Sequence, residues 1–173
     1  MRKTAIAVLT ALMMIVTATT AYAEMSKEDA KELRTVTARY HSLTKAIADG
    51  YQPFSIDPNN PAIATCFDSN SGGMGIHYVR NIDAVIDPSD PEALVYEVAE
   101  NGQPRLVAVE YIIPEGFVED ALGNPVNLPS LFGHEFHKHS FLPVYILHAW
   151  IWRTNPDDMF SDFNPDVAPC PGT

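Results

Sequence analysis

From Ser26 to Gly50, apolar positions recur at alternating steps of three and four: Leu33, Val36, Tyr40, Leu43 and Ile47. Lys27, Glu28, Asp29, Lys31, Glu32 and Arg34 occupy the other side, Asp29 follows Ser26 at the spacing of a weak capping box, and Gly50 stands where a C′ residue ends a helix. The spacing predicts one long amphipathic helix of about six turns, lying across a sheet. Beyond it the period changes to two. Residues 94–100 and 103–113 alternate around Asn101-Gly102, the dipeptide a type I′ hairpin turn prefers. A two-residue turn sets Val98 opposite Arg105, Tyr96 opposite Val107, Leu94 opposite Val109 and Ala99 opposite Pro104. One face then carries Leu94, Tyr96, Val98, Val107, Val109 and Tyr111, and the other Val95, Glu97, Ala99, Leu106, Ala108 and Glu110. Residues 141–153 are apolar on both alternations, as a central strand covered on both sides would be. Residues 76–79 read as a short strand after a loop-rich stretch, 51–75. All 14 prolines lie beyond residue 52 and punctuate the strands. The fold class expected is α+β: a long N-terminal helix packed on a mainly antiparallel sheet, which can curl into a partial β-barrel.

The first residues read differently. Met1-Arg2-Lys3 is a basic start, residues 5–16 are apolar except for Thr10, and Ala21-Tyr22-Ala23 places small residues before a cut at Glu24. Together these predict a cleaved secretory signal over residues 1–23 and a single α+β domain over 24–173. The apolar run is too short for a membrane anchor, so the mature protein is expected to be periplasmic or extracellular without membrane insertion. Without Arg2 and Lys3, 9 basic side chains face 22 acidic ones, a net −13. That balance argues against nucleic-acid partners, which need cationic side chains for phosphate. In an oxidising compartment the two cysteines, Cys66 and Cys170, are expected to form a disulfide closing a loop of about 100 residues.

Candidate chemistry centres on histidine. His148 alternates with apolar residues mid-strand, and His77 sits in Met74-Gly75-Ile76-His77-Tyr78. An imidazole on such a face must find a partner. Brought together with Glu97 or Glu110, the two rings would form a polar pocket, with Tyr78 and Trp150 beside them. Imidazole plus carboxylate suits zinc or copper, and Met74 would add a soft ligand favouring copper(I). His137 and His139, two apart in a denser run beginning at His134, are a second place where one ion could be gripped from a strand. An exposed polar loop is the plainer reading of that run. It lacks the two-histidine spacing of a zincin helix. No nucleophile elbow or phosphate loop is present, and Glu97 and Glu110 stand about 13 Å apart along the hairpin, too far for a glycosidase pair.

The segments Met74-Gly75-Ile76-His77-Tyr78, Leu94-Val95-Tyr96-Glu97, Val109-Glu110-Tyr111 and Leu147-His148-Ala149-Trp150-Ile151-Trp152 form a set. With Asn155-Pro156 and Asn164-Pro165-Asp166-Val167, they resemble a family of exported bacterial proteins of unknown function, over about residues 36–170. The resemblance implies that His77, Glu97, Glu110 and His148 belong together, but lends no activity. The expected function is an exported binding protein with a His/Glu pocket for a small ligand or a transition metal. The rival readings are a hydrolase or isomerase using a His/Glu acid–base pair, and a non-catalytic interaction module.

Overall fold

The computed structural model describes residues 25–99 and 101–170, so the expected signal segment lies outside the described residues. Ser26 begins the helical segment: its Oγ accepts from the Asp29 N–H at 3.0 Å and donates to the Asp29 carboxylate at 2.7 Å. The helix is not continuous. α1 (Lys27–Thr37) gives way to a 3-10 turn (Ala38–His41), and after the extended Ser42 the chain resumes as α2 (Leu43–Ala48). The break follows Thr35-Val36-Thr37, three β-branched residues whose two hydroxyls bond back to the carbonyls of Lys31 and Leu33. The Thr37 hydroxyl also accepts from Trp152 Nε1 at 3.1 Å, which fixes the break to the sheet. The long helix is thereby corrected to a short one, and the stripe ends differently. Ile47 is exposed, and Ala46 takes the fully buried position.

The strands are β1 (Gln52–Pro53), β2 (Cys66–Ser69), β3 (Gly72–Val79), β4 (Ala93–Val98), β5 (Pro104–Pro114), β6 (Ser130–Leu131), β7 (His134–Glu135), β8 (His137–Lys138) and β9 (Val144–Ala149). Seven of them form one antiparallel sheet in the order β1-β3-β4-β5-β9-β8, with β2 also paired to β3; β6 and β7 pair separately. The sheet stays open rather than closing as a barrel. One face packs under the helical segment through Leu33, Tyr40, Ala46, Leu94, Tyr96, Val109, Tyr111 and Leu147. The Tyr96 hydroxyl donates to the Tyr40 carbonyl at 2.7 Å and joins the two layers.

Two expectations about the sheet are corrected. In the β4–β5 hairpin, the Ala99 N–H donates to the Gln103 carbonyl and the Gly102 N–H to that of Ala99, with Gly102 at φ 75°. This is the longer connection with glycine in the left-handed position, and it pairs Glu97 with Arg105 and Val98 with Pro104. A bulge at Val107 then restores Leu94 opposite Val109. Leu106 consequently joins the helix-side core, and Val107 crosses to the other face with Val95, Ala108, Trp150 and Val167. The second correction concerns the glycine-rich run, which is the first half of β3 and not a loop. A Cβ on Gly72 would lie 2.3 Å from the Asn164 carbonyl oxygen, and one on Gly73 2.5 Å from that of Ala168. Glycine here admits the C-terminal tail against the strand. The disulfide Cys66–Cys170, with Cα atoms 5.7 Å apart, ties the same tail to β2. Among the described residues no helix is long and apolar enough to cross a membrane.

Candidate functional site

Strand alternation and register decide which polar side chains meet on the face away from the helices. His77 on β3 pairs with Val95, Val95 pairs with Ala108, and two residues further along β5 Glu110 pairs with His148 of β9. His77, Glu110 and His148 therefore point to one side, among Val95, Ala108, Ile112, Ile146 and Trp150. All three are buried: His77 and Glu110 are 4% exposed and His148 is 0% exposed. His77 Nε2 lies 3.5 Å from Glu110 Oε2, and the His77 and His148 rings are 6.2 Å apart, edge to face. Among the described residues neither ring nitrogen of His77 or of His148 has a hydrogen-bond partner. Four unpartnered nitrogens in one place depart from the rule that buried polar groups are bonded.

In front of His77 and Glu110 lies a cavity of about 50 Å³, lined by Phe54, Phe67, Met74, Val79, Ile82, Ile112, His139, Leu142, Val144 and Ile146. At roughly 10–15 Å³ per water-sized group it accommodates about four such groups. Its wall is apolar, and the Phe67 and His77 rings meet in a T-shaped contact with centroids 5.5 Å apart. His139, at the rim, accepts through Nδ1 from the N–H groups of Phe141 and Leu142.

This setting reverses the usual ionisation order of acid and imidazole. Burial pushes the Glu110 carboxyl up to about 8, with the Asp162 and Glu92 carboxylates adding to the effect. Burial also holds His77 down to about 3, helped by the imidazoles of His148 and His139, and holds His148 down to about 4. At neutral pH the pair is thus a carboxylic acid facing a free base. Such a pair can donate and accept hydrogen bonds with a neutral ligand, and it can pass a proton to or from a bound one.

Other residues expected at this site are placed elsewhere. Glu97 shares the sheet face but is taken by Arg105, whose Nε lies 2.5 Å away, and by Arg153 at 3.7 Å. Tyr78 points to the helix side, where its ring meets Tyr96. Trp150 neighbours His148 with ring centroids 4.6 Å apart, yet it is a core residue whose Nε1 donates to the Ser161 carbonyl at 2.6 Å. Met74 lines the cavity. His137 is not in a loop: it pairs with Ile146 at the edge of the sheet, and its Nε2 lies 3.0 Å from Asp162 Oδ2. That contact raises the His137 pKa; Asp162, although burial pushes it up, is held below the usual carboxylate range by His137 and the surrounding imidazoles. His134 stacks on Phe160. Sequence reasoning missed Asp162, whose buried Oδ1 has no hydrogen-bond partner among the described residues. It also missed the two cavity phenylalanines. Neither had a periodic signal, because they come from irregular chain and a two-sided short strand.

Among the described residues no group of three or more His, Cys, Asp or Glu side chains converges as a metal ion would require. No family model, curated protein or solved structure matches the chain.

Proposed function

We propose that this is an exported binding protein that takes a small, mainly apolar ligand head-first into the cavity, with its polar head at Glu110 and His77. The observation carrying this reading is the buried His77 ring, whose nitrogens have no hydrogen-bond partner among the described residues, lining an apolar cavity together with Glu110. A buried imidazole without a partner costs free energy, on the order of 1–3 kcal/mol per group, which a ligand hydrogen bond would recover. The cavity supplies apolar contact, and the acid–base pair supplies orientation, the usual division of labour in ligand sites. Export accords with the disulfide, which persists in oxidising compartments.

Copper or zinc on His77 and His148 with Met74 is the second reading, favoured by the four unpartnered nitrogens. It ranks below the organic ligand because the acids and imidazoles do not converge on one point. An NMR titration tests the first reading. A panel of alcohols, amines and carboxylic acids of two to six carbons should include members that shift the His77 ring resonances while leaving His134 unmoved. If no member shifts His77, and zinc or copper does, the metal reading replaces it.

A further inference from the structure

Among the described residues three glutamates are buried, and they are not treated alike. Glu97 has two arginines, Arg105 and Arg153. Glu92 accepts the Ile112 N–H at 3.0 Å. Glu110 has neither: among the described residues its one basic neighbour within ion-pair range is His77 Nε2, at 3.5 Å and without hydrogen-bond geometry. Among the described residues no lysine or arginine lines the cavity that Glu110 faces. A buried carboxyl without a counter-ion, opening onto a space rather than onto packed protein, is a place where the cation can come from outside.

The wall of that space suits an organic cation better than a hydrated one. Phe54 and Phe67 line it with ring centroids 6.2 Å apart, Met74 and Ile112 complete the apolar surface, and Phe141, which is 62% exposed, extends the aromatic group outward from Phe67. Aromatic rings stabilise an ammonium through their π faces, and aliphatic walls cover its carbon chain. A carboxylate ligand would find the opposite: an acid at the floor and imidazoles that burial keeps uncharged. The −13 balance of the chain beyond residue 23 also concentrates cations near the surface rather than anions.

Resting on the ligand-binding reading above, we propose that the cavity receives a primary alkylammonium, its –NH3+ group on the Glu110 carboxylate and its short chain against Phe54, Phe67 and Met74. The proton count follows. Free Glu110 carries a proton at pH 7; binding of R–NH3+ ionises it, and that proton leaves to solvent, so close to one H+ is released per ligand bound. Four water-sized groups of space correspond to the nitrogen and about three carbons, with any longer chain emerging toward Ile82 and Leu142.

Isothermal titration at pH 7 with butylammonium, butanol and butyrate tests this, run in phosphate and in HEPES, whose protonation enthalpies differ. Butylammonium is expected to bind more tightly than either analogue, with a heat that differs between buffers by about one proton released. In Glu110→Gln its affinity should fall about 10- to 100-fold, the cost of losing a charged hydrogen-bond partner. Butanol or butyrate binding more tightly than butylammonium overturns the ammonium assignment and leaves the ligand-binding reading standing. Butylammonium binding without proton release, or with full affinity in Glu110→Gln, also overturns it. If none of the three binds, the ammonium assignment falls, and the panel of two to six carbons decides the ligand-binding reading. Thermal unfolding of the variant at pH 6, at a midpoint no lower than that of the parent protein, shows that a lost affinity is not a lost fold.

Discussion

Replacing Glu110 by Gln exchanges a neutral acid for a neutral amide of the same shape, so the two proteins should differ only where the acid would ionise. In the folded chain Glu110 is pushed up to about 8 from an ordinary value of 4.5. The folded state therefore keeps a proton that the unfolded chain gives up. Stability from this group is complete below about pH 4.5 and is lost as pH rises through 8. Integrated between pH 6 and pH 8, that shift amounts to about 2 kcal/mol. Glu92, pushed up to about 7, has the same sign but is present in both proteins and drops out of the comparison. Urea unfolding with the disulfide intact, at pH 6, 7 and 8, reads the effect directly. The parent protein should lose about 2 kcal/mol more than Glu110→Gln across that range, the variant being already about 2 kcal/mol the more stable at pH 6, where the unfolded parent is ionised at this position. Parallel curves would mean that Glu110 ionises as easily when folded as when unfolded. The dry, uncompensated floor of the cavity would then be wrong.

Further outcomes follow from the same structure. His148, held down to about 4 in the folded chain, must stay neutral there while the unfolded chain protonates near 6.5. Its contribution is full above 6.5 and lost as pH falls, at up to about 1.4 kcal/mol per pH unit, and His148→Leu should flatten that acid limb in urea titrations between pH 4 and 6.5. Cys66→Ser opens a loop whose ends are 104 residues apart, for which the chain-entropy cost is about 4–5 kcal/mol; equilibrium unfolding in the absence of reductant should show a loss of that order, and a loss below about 1 kcal/mol would contradict it. Gly75→Ala places a Cβ 2.5 Å from the Tyr96 carbonyl oxygen at φ 109°, whereas Gly102→Ala at φ 75° meets nothing within 4 Å. The first should prevent folding or cost several kcal/mol, and the second only about 1 kcal/mol, by thermal melts compared side by side.

How far these features could be read from the chain depends on the range of the forces that set them. The amphipathic stripe through Leu33 and Tyr40 is local and was legible. The break at Thr37 was not, because the hydroxyl that bends the helix is held by Trp152, 115 residues away. Asn101-Gly102 marked the hairpin, but the Val107 bulge depends on the neighbouring strand end: the carbonyl of Val107 accepts from the N–H groups of Trp152 and Arg153. That single extra residue moved Leu106 and Val107 to opposite faces from those expected. Glycines 72, 73 and 75 resembled a flexible loop because the tail and the β4 carbonyl they accommodate arrive from elsewhere in the sequence. At the site, alternation alone was enough to align His77, Glu110 and His148. It also separates Tyr78 from His77, a consequence of period two that the grouping of the motif overrode. Glu97 lies on the correct face, but the shifted hairpin register sets Arg105 opposite it, and with Arg153 its charge is already satisfied. Asp162 comes from irregular chain after β9, where no periodicity announces a direction.

The neutrality of the buried imidazoles is the property on which the cavity, the acid and the proposed ligand all depend. Long-range proton–nitrogen NMR of the histidine rings between pH 5 and 8 measures it most directly, with His137, whose pKa Asp162 raises, as the internal reference in the same spectra. His77 and His148 should hold neutral-ring nitrogen shifts down to pH 5, whereas His137 should keep its proton to a higher pH than either. Midpoints near 6.5 for His77 and His148 would contradict that neutrality and show water reaching a face of the sheet that should be dry.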